Sequence, residues 1–101
     1  MFRTDTADAG IRHIILYIAQ QFGDSVALKK LNEIESRIKV LEENPYIGVD
    51  PGYLILRKKG YKVLILDKDL VFYKIFENEK KVIIYAVTDQ RQDYLRIIQG
   101  L

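Results

Sequence analysis

Apolar residues recur through the first half of the chain at the three-four spacing of a helix. Ile11, Ile14, Ile15, Ile18, Ala19 and Phe22 share one helical face after a polar opening, Thr4-Asp5-Thr6-Ala7-Asp8, that supplies a cap, and Gly23 ends the run. A second stripe, Ala27, Leu31, Ile34, Ile38 and Leu41, follows a cap at Asp24 or Ser25 and stops before Asn44-Pro45. About two residues link the two segments, so they are antiparallel neighbours that bury their stripes together or against a sheet.

From Pro45 the periodicity changes. Pro45, Gly48 and Asp50-Pro51-Gly52 are turn residues, and the runs Tyr53–Arg57, Lys62–Leu66, Leu70–Phe76 and Lys81–Val87 are short, β-branched and aromatic. The links Lys58-Lys59-Gly60, Asp67-Lys68-Asp69 and Glu77-Asn78-Glu79 are too short for a crossover, so the strands pair antiparallel. Strands apolar at most positions need cover, and the helical hairpin is the cover for one face. Gln92–Ile98 adds a short C-terminal helix or tail. The expected fold is α+β: an N-terminal helical hairpin on an antiparallel sheet of three to four strands, one domain over residues 1–101.

Composition narrows the function. At 101 residues, folding buries roughly two-thirds of the chain's surface. With 49% apolar and 30% charged residues the chain has a globular rather than a disordered balance. No apolar run approaches the roughly 20 residues that span a bilayer, and Met-Phe-Arg-Thr-Asp lacks the basic-then-apolar order of a signal peptide; a cytoplasmic protein with no membrane partner is expected. The absence of cysteine excludes disulfides, thiol catalysis and thiolate zinc sites, and one histidine, His13 on the polar side of the first helix, leaves little to bind a metal. No cofactor is expected. Ser25 and Ser36 lie on the second helix, away from any loop that would expose a nucleophile, and the scattered glycines make no phosphate-cradling loop.

The net charge of +2 hides an asymmetry. Residues 1–50 carry 6 Lys/Arg against 8 Asp/Glu, residues 51–101 carry 10 against 6, and the basic half suits a polyanionic partner. Arg57, Lys58, Lys59 and Lys62 form a basic turn that can neutralise phosphates or a target surface; its plain reading is a solvated hairpin tip. Asp89, Arg91 and Tyr94 follow the last strand. There a cation and a phenol can stabilise phosphoryl charge and pass a proton, against a plain reading as a cap and a packed ring. A metal-free ribonuclease needs such groups to converge within a few ångströms.

The order Tyr17-Ile18-Ala19, Gly23, Leu41-Glu-Glu-Asn-Pro45, Gly48, Leu70-Val-Phe-Tyr-Lys-Ile75, Val82-Ile-Ile-Tyr-Ala-Val87 and Arg91-Gln-Asp-Tyr94 resembles the RelE/ParE superfamily of type II toxin–antitoxin modules over nearly the whole chain. The resemblance implies a small toxin with two helices on an antiparallel sheet, neutralised by an antitoxin whose extended C-terminal segment wraps it. RelE-like members cleave mRNA on the ribosome with basic and tyrosine side chains; ParE-like members poison DNA gyrase and lack that set. The long paired helices and the Asn44-Pro45…Gly48 link look ParE-like. Leu70, Ala86 and Asp89 stand where many RNA-cleaving relatives carry arginine, a basic residue and histidine. Lys62, Arg91 and Tyr94 remain as carried-over catalytic candidates, and Arg57, Lys58, Lys59, Lys62 and Arg91 as target- or nucleic-acid-binding ones. The expectation is a gyrase-directed toxin; the alternatives are a metal-independent, ribosome-dependent endoribonuclease and an inactive relative that only binds its antitoxin.

Relatives usually begin with a complete strand, whereas Met1-Phe2-Arg3 allows a stub. An incompletely filled sheet position invites a homodimer through the exposed edge, or antitoxin capture by strand addition.

Overall fold

The computed structural model describes all 101 residues. β1 (Phe2–Arg3) leads into α1 (Asp5–Phe22) and α2 (Asp24–Glu43), then a 3-10 turn at Pro45–Ile47 and α3 (Leu54–Lys58). β2 (Lys62–Leu66), β3 (Asp69–Phe76), a 3-10 turn at Glu77–Glu79, β4 (Lys81–Asp89) and α4 (Tyr94–Gln99) complete the chain. The strands lie in the order β1-β4-β3-β2. β2, β3 and β4 are antiparallel, as their short links require, while β1 runs parallel to β4 through Phe2↔Ile83 and Arg3↔Ile84. The intervening helices make that parallel return feasible. No helix is long and apolar enough to cross a membrane.

The helical hairpin forms where the apolar spacing places it. The Thr4 side chain caps α1 by accepting from the Ala7 N–H at 3.1 Å, and Asp5 and Asp8 complement the positive helix start. Gly23, at φ +92°, is both the C-cap of α1 and the N-cap of α2; this shared junction leaves no place for the expected side-chain cap, and neither Asp24 nor Ser25 supplies one. Ala7, Ile11 and Ile14 of α1 and Ile34, Ile38 and Leu41 of α2 are buried on Leu64, Leu66, Val71, Tyr73, Val82, Ile84 and Val87 of the sheet. Phe22, at the hairpin tip, stays 66% exposed. A Cβ at Gly10 would lie 2.0 Å from the Val87 carbonyl oxygen, so α1 crosses β4 at a distance only glycine permits.

A smaller core lies on the opposite face: Leu56, Tyr61, Val63, Phe72, Ala86 and Ile98. The pairing shifts between Phe72↔Ala86 and Tyr73↔Ile84, which leaves Tyr85 as an extra residue in β4. The Thr4 hydroxyl donates to the Tyr85 carbonyl at 2.7 Å while the Thr4 N–H donates to Ile84 O at 3.0 Å. One side chain therefore ties the bulge to the first turn of α1.

The expected strand Tyr53–Arg57 is instead the short helix α3. Val49 takes the slot beside β2 by exchanging two 2.8 Å hydrogen bonds with Val63, so the following segment has no free edge to pair with. It coils, burying Leu56 alone while Leu54 and Ile55 face outward. The Asn44-Pro45…Gly48 link also gains a cause. The fully buried Tyr73 hydroxyl accepts from the Gly48 N–H at 3.1 Å and donates to the Pro45 carbonyl at 2.6 Å. The short β1 is held by Arg3, whose guanidinium grips Glu35 of α2 with two hydrogen bonds, one of 2.7 Å, and lies 3.7 Å from Asp8.

Candidate functional site

Arg91 follows β4, where the chain leaves the sheet. Its guanidinium donates to Asp89 at 3.1 and 3.2 Å and its backbone N–H donates to the same carboxylate at 2.8 Å. Those hydrogen bonds hold the Asp89 carboxyl below the usual range. The pair sits at the rim of a groove of about 950 Å³ between the helical hairpin and the end of the sheet. Ile14, Ile18, Phe22 and Val26 supply its apolar part, and His13, which is exposed, lies along its wall. Below the rim the Lys30 ammonium is 2.9 Å from Asp69, which is 2% exposed. Burial pushes the Asp69 carboxyl up, and Lys30 opposes that shift.

Tyr94 has different neighbours. It opens α4, where Asp93 caps by accepting from the Arg96 N–H at 3.4 Å. The ring stacks on Phe72 with centroids 5.0 Å apart and meets Tyr53 edge-on at 5.7 Å. Together with Val49, Pro51 and Ile65 it lines a small pocket of about 120 Å³ on the face away from the helical hairpin. Lys62 lies at the outer strand β2, 3.6 Å from Asp50. Arg57, Lys58 and Lys59 are exposed at the end of α3, with no carboxylate within 4 Å.

The structure thus places Arg91 on the helical groove, Tyr94 in an aromatic stack across the sheet and Lys62 at the sheet edge. General acid–base chemistry needs donor and acceptor within about 2.6–3.2 Å of one reacting atom. Neither the 950 Å³ groove nor the 120 Å³ pocket is lined by all three: Arg91 borders the first, Tyr94 the second and Lys62 neither. No cluster of three His, Asp or Glu side chains could hold a metal ion. What the geometry offers is surface for binding: a groove with an apolar floor and charged rim, and a run of unpaired cations.

Sequence reading missed one constellation. On the face away from the hairpin, the Lys74 ammonium lies 4.5 Å from the Tyr61 ring centroid and 5.1 Å from that of Tyr85, and these two rings meet edge-on at 5.5 Å. Strand alternation alone puts Tyr61 and Lys74 opposite each other; the bulge at Tyr85, which alternation does not show, brings in the second ring.

Comparisons with known proteins follow this architecture. Residues 2–94 match the family described as the ParE toxin of the type II toxin–antitoxin system, parDE. A solved structure, of the chromosomal ParDE toxin–antitoxin system from P. aeruginosa, superposes with a TM-score of 0.71 at 20% identity, covering 86% of this chain and 90% of that one. At that identity the superposition speaks for the fold. No curated protein matches significantly. With the family match spanning all but the first residue and the last helix beyond Tyr94, the chain belongs to the ParE family of type II toxins.

Proposed function

We propose that this ParE-type toxin arrests growth by binding DNA gyrase, without cleaving RNA, and that a cognate antitoxin neutralises it. The family match over residues 2–94 carries the reading. It is supported by the separate placement of Lys62, Arg91 and Tyr94, which leaves a metal-independent ribonuclease without an assembled acid, base and cation. Arg57, Lys58, Lys59, Lys62 and Arg91 serve in this reading as target contacts. The 950 Å³ groove suits an amphipathic antitoxin segment, with apolar side chains on Ile14, Ile18 and Phe22 and acidic ones toward Lys29 and Lys68.

The test is induction of the chain alone in cells, scoring which process stops first. Replication arrest with gyrase-linked DNA breaks is expected; early translation arrest with cut messages would favour the nuclease instead. Arg91→Ala and Tyr94→Phe separate the two further. A nuclease loses cleavage by orders of magnitude while still binding its antitoxin, whereas a binder changes only in proportion to lost contacts.

A further inference from the structure

The sheet face opposite the helical hairpin is only half covered. α3 and α4 close over Leu56, Phe72, Ala86 and Ile98, while the other end, where β1, β4 and β3 run side by side, lies open. Val82 and Ile84 point into the main core and Ile75 packs against it, so Lys74, Phe76, Lys81 and Ile83 point the other way. Phe2 pairs with Ile83, and Ile83 with Lys74, in one cross-strand row. The result alternates rings and ammonium groups. The Lys81 Nζ lies 5.7 Å from the Phe2 centroid and 5.6 Å from that of Phe76; Lys74 lies between Tyr61 and Tyr85.

Two properties identify what this surface takes. Phe2 is 60% exposed, and Phe76 and Tyr85 are half-buried, so ring surface beside the ammonium groups is accessible to a flat partner that displaces them. Lys74 has no carboxylate within 4 Å, nor do Arg57, Lys58 and Lys59 on α3, whose buried Leu56 shares a core with Tyr61. Glu79 meets Lys81 at 2.7 Å and balances that one lysine. Open ring faces beside unpaired cations are the features that bind single strands: bases stack on the rings and phosphates release counterions to the lysines. A duplex keeps its base faces stacked internally and can use only the cations.

We propose that this open sheet face, centred on Phe2, Lys74, Phe76 and Tyr85, is a binding platform for single-stranded nucleic acid, with little sequence preference and no cleavage. The proposal is independent of the gyrase reading, because its test contains neither gyrase nor antitoxin.

Fluorescence anisotropy with labelled oligo(dT), oligo(rU) and a mixed-sequence duplex of equal length tests it on the full chain. Single strands should bind at least about 10-fold tighter than the duplex, by the stacking available only to them. Phe2→Ala and Tyr85→Leu should each weaken single-strand binding about 5-fold or more. Lys74→Met should reduce the magnitude of the log–log salt slope by about 0.7, one phosphate's worth for a single strand. Equal affinity for dT and rU assigns the site to backbone and stacking alone, and tighter rU assigns it to RNA; both support the platform. Phe2 is exposed, so Phe2→Ala tests the idea even where Tyr85→Leu misfolds. Duplex binding as tight as single-strand binding overturns it, as does a folded Phe2→Ala protein that binds like the parent, or no binding to any oligonucleotide.

Discussion

Replacing Tyr73 by phenylalanine removes one oxygen from the middle of the fold. That oxygen holds the Gly48 N–H and the Pro45 carbonyl at 3.1 and 2.6 Å, and the tyrosine carrying it is fully buried. Without it two backbone groups lose their partner. An unsatisfied buried group costs about 1–3 kcal/mol, and because Pro45 and Gly48 are themselves half-buried, water recovers part of that. A net loss of about 1–3 kcal/mol is therefore expected. For a domain of this size each 1 kcal/mol lowers Tm by about 4–8 °C, so a fall of about 4–24 °C should appear in a thermal melt. Urea unfolding should show a lower midpoint with an unchanged slope, since the surface exposed is the same. Gly48→Ala supplies the control, because its Cβ would approach the Tyr73 hydroxyl to 2.3 Å and the Val63 carbonyl oxygen to 2.8 Å. The two changes share an atom, so their effects should depart from additivity by about 0.5 kcal/mol or more. A Tyr73→Phe protein within 0.5 kcal/mol of the parent, or a strictly additive double variant, would refute the claim that this hydroxyl clasps the link after α2.

Three further outcomes are expected. Gly10→Ala, which helix propensity alone would make stabilising by about 1 kcal/mol, should instead destabilise, since the new methyl meets the Val87 carbonyl oxygen at 2.0 Å; the urea midpoint gives the sign. Thr4→Val keeps the shape but loses the cap to Ala7 and the donor to Tyr85 O, and should cost about 1–3 kcal/mol, with faster hydrogen exchange in the first turn of α1. Arg3 hydrogen-bonds Glu35 and holds its carboxyl below the ordinary range, so this contribution to stability is present above the ordinary carboxylate pKa and is lost as pH falls through the lowered one. Asp69, raised by burial, has the opposite sign: its folded state favours the protonated form, and that contribution fades as pH rises through the raised value. Carboxyl NMR titration should find Glu35 below and Asp69 above their usual midpoints, and Arg3→Met should return Glu35 toward its own.

The chain's own pattern determined the two long helices and three of the strands. Ile11, Ile14, Ile34, Ile38 and Leu41 have a spacing that only a helical hairpin buries, and the runs around Val63, Val71 and Ile84 have links too short for anything but antiparallel pairing. Helix spacing and link length are local quantities, so one sequence suffices to read them. Tyr53–Arg57 has the composition of a strand yet forms α3, because Val49 is already seated on the edge it would have joined, a fact that exists only in the tertiary structure. The same holds for the candidate site. Arg91, Tyr94 and Lys62 suit one chemistry by residue type, but the fold holds Arg91 against Asp89, stacks Tyr94 on Phe72 and fixes Lys62 in the outer strand opposite Tyr73. The bulge at Tyr85 sets one more ring beside Lys74 through contacts between residues far apart in the chain. Periodicity says how much of a segment must be buried; what it is buried against is settled only when all the segments compete for the same surfaces.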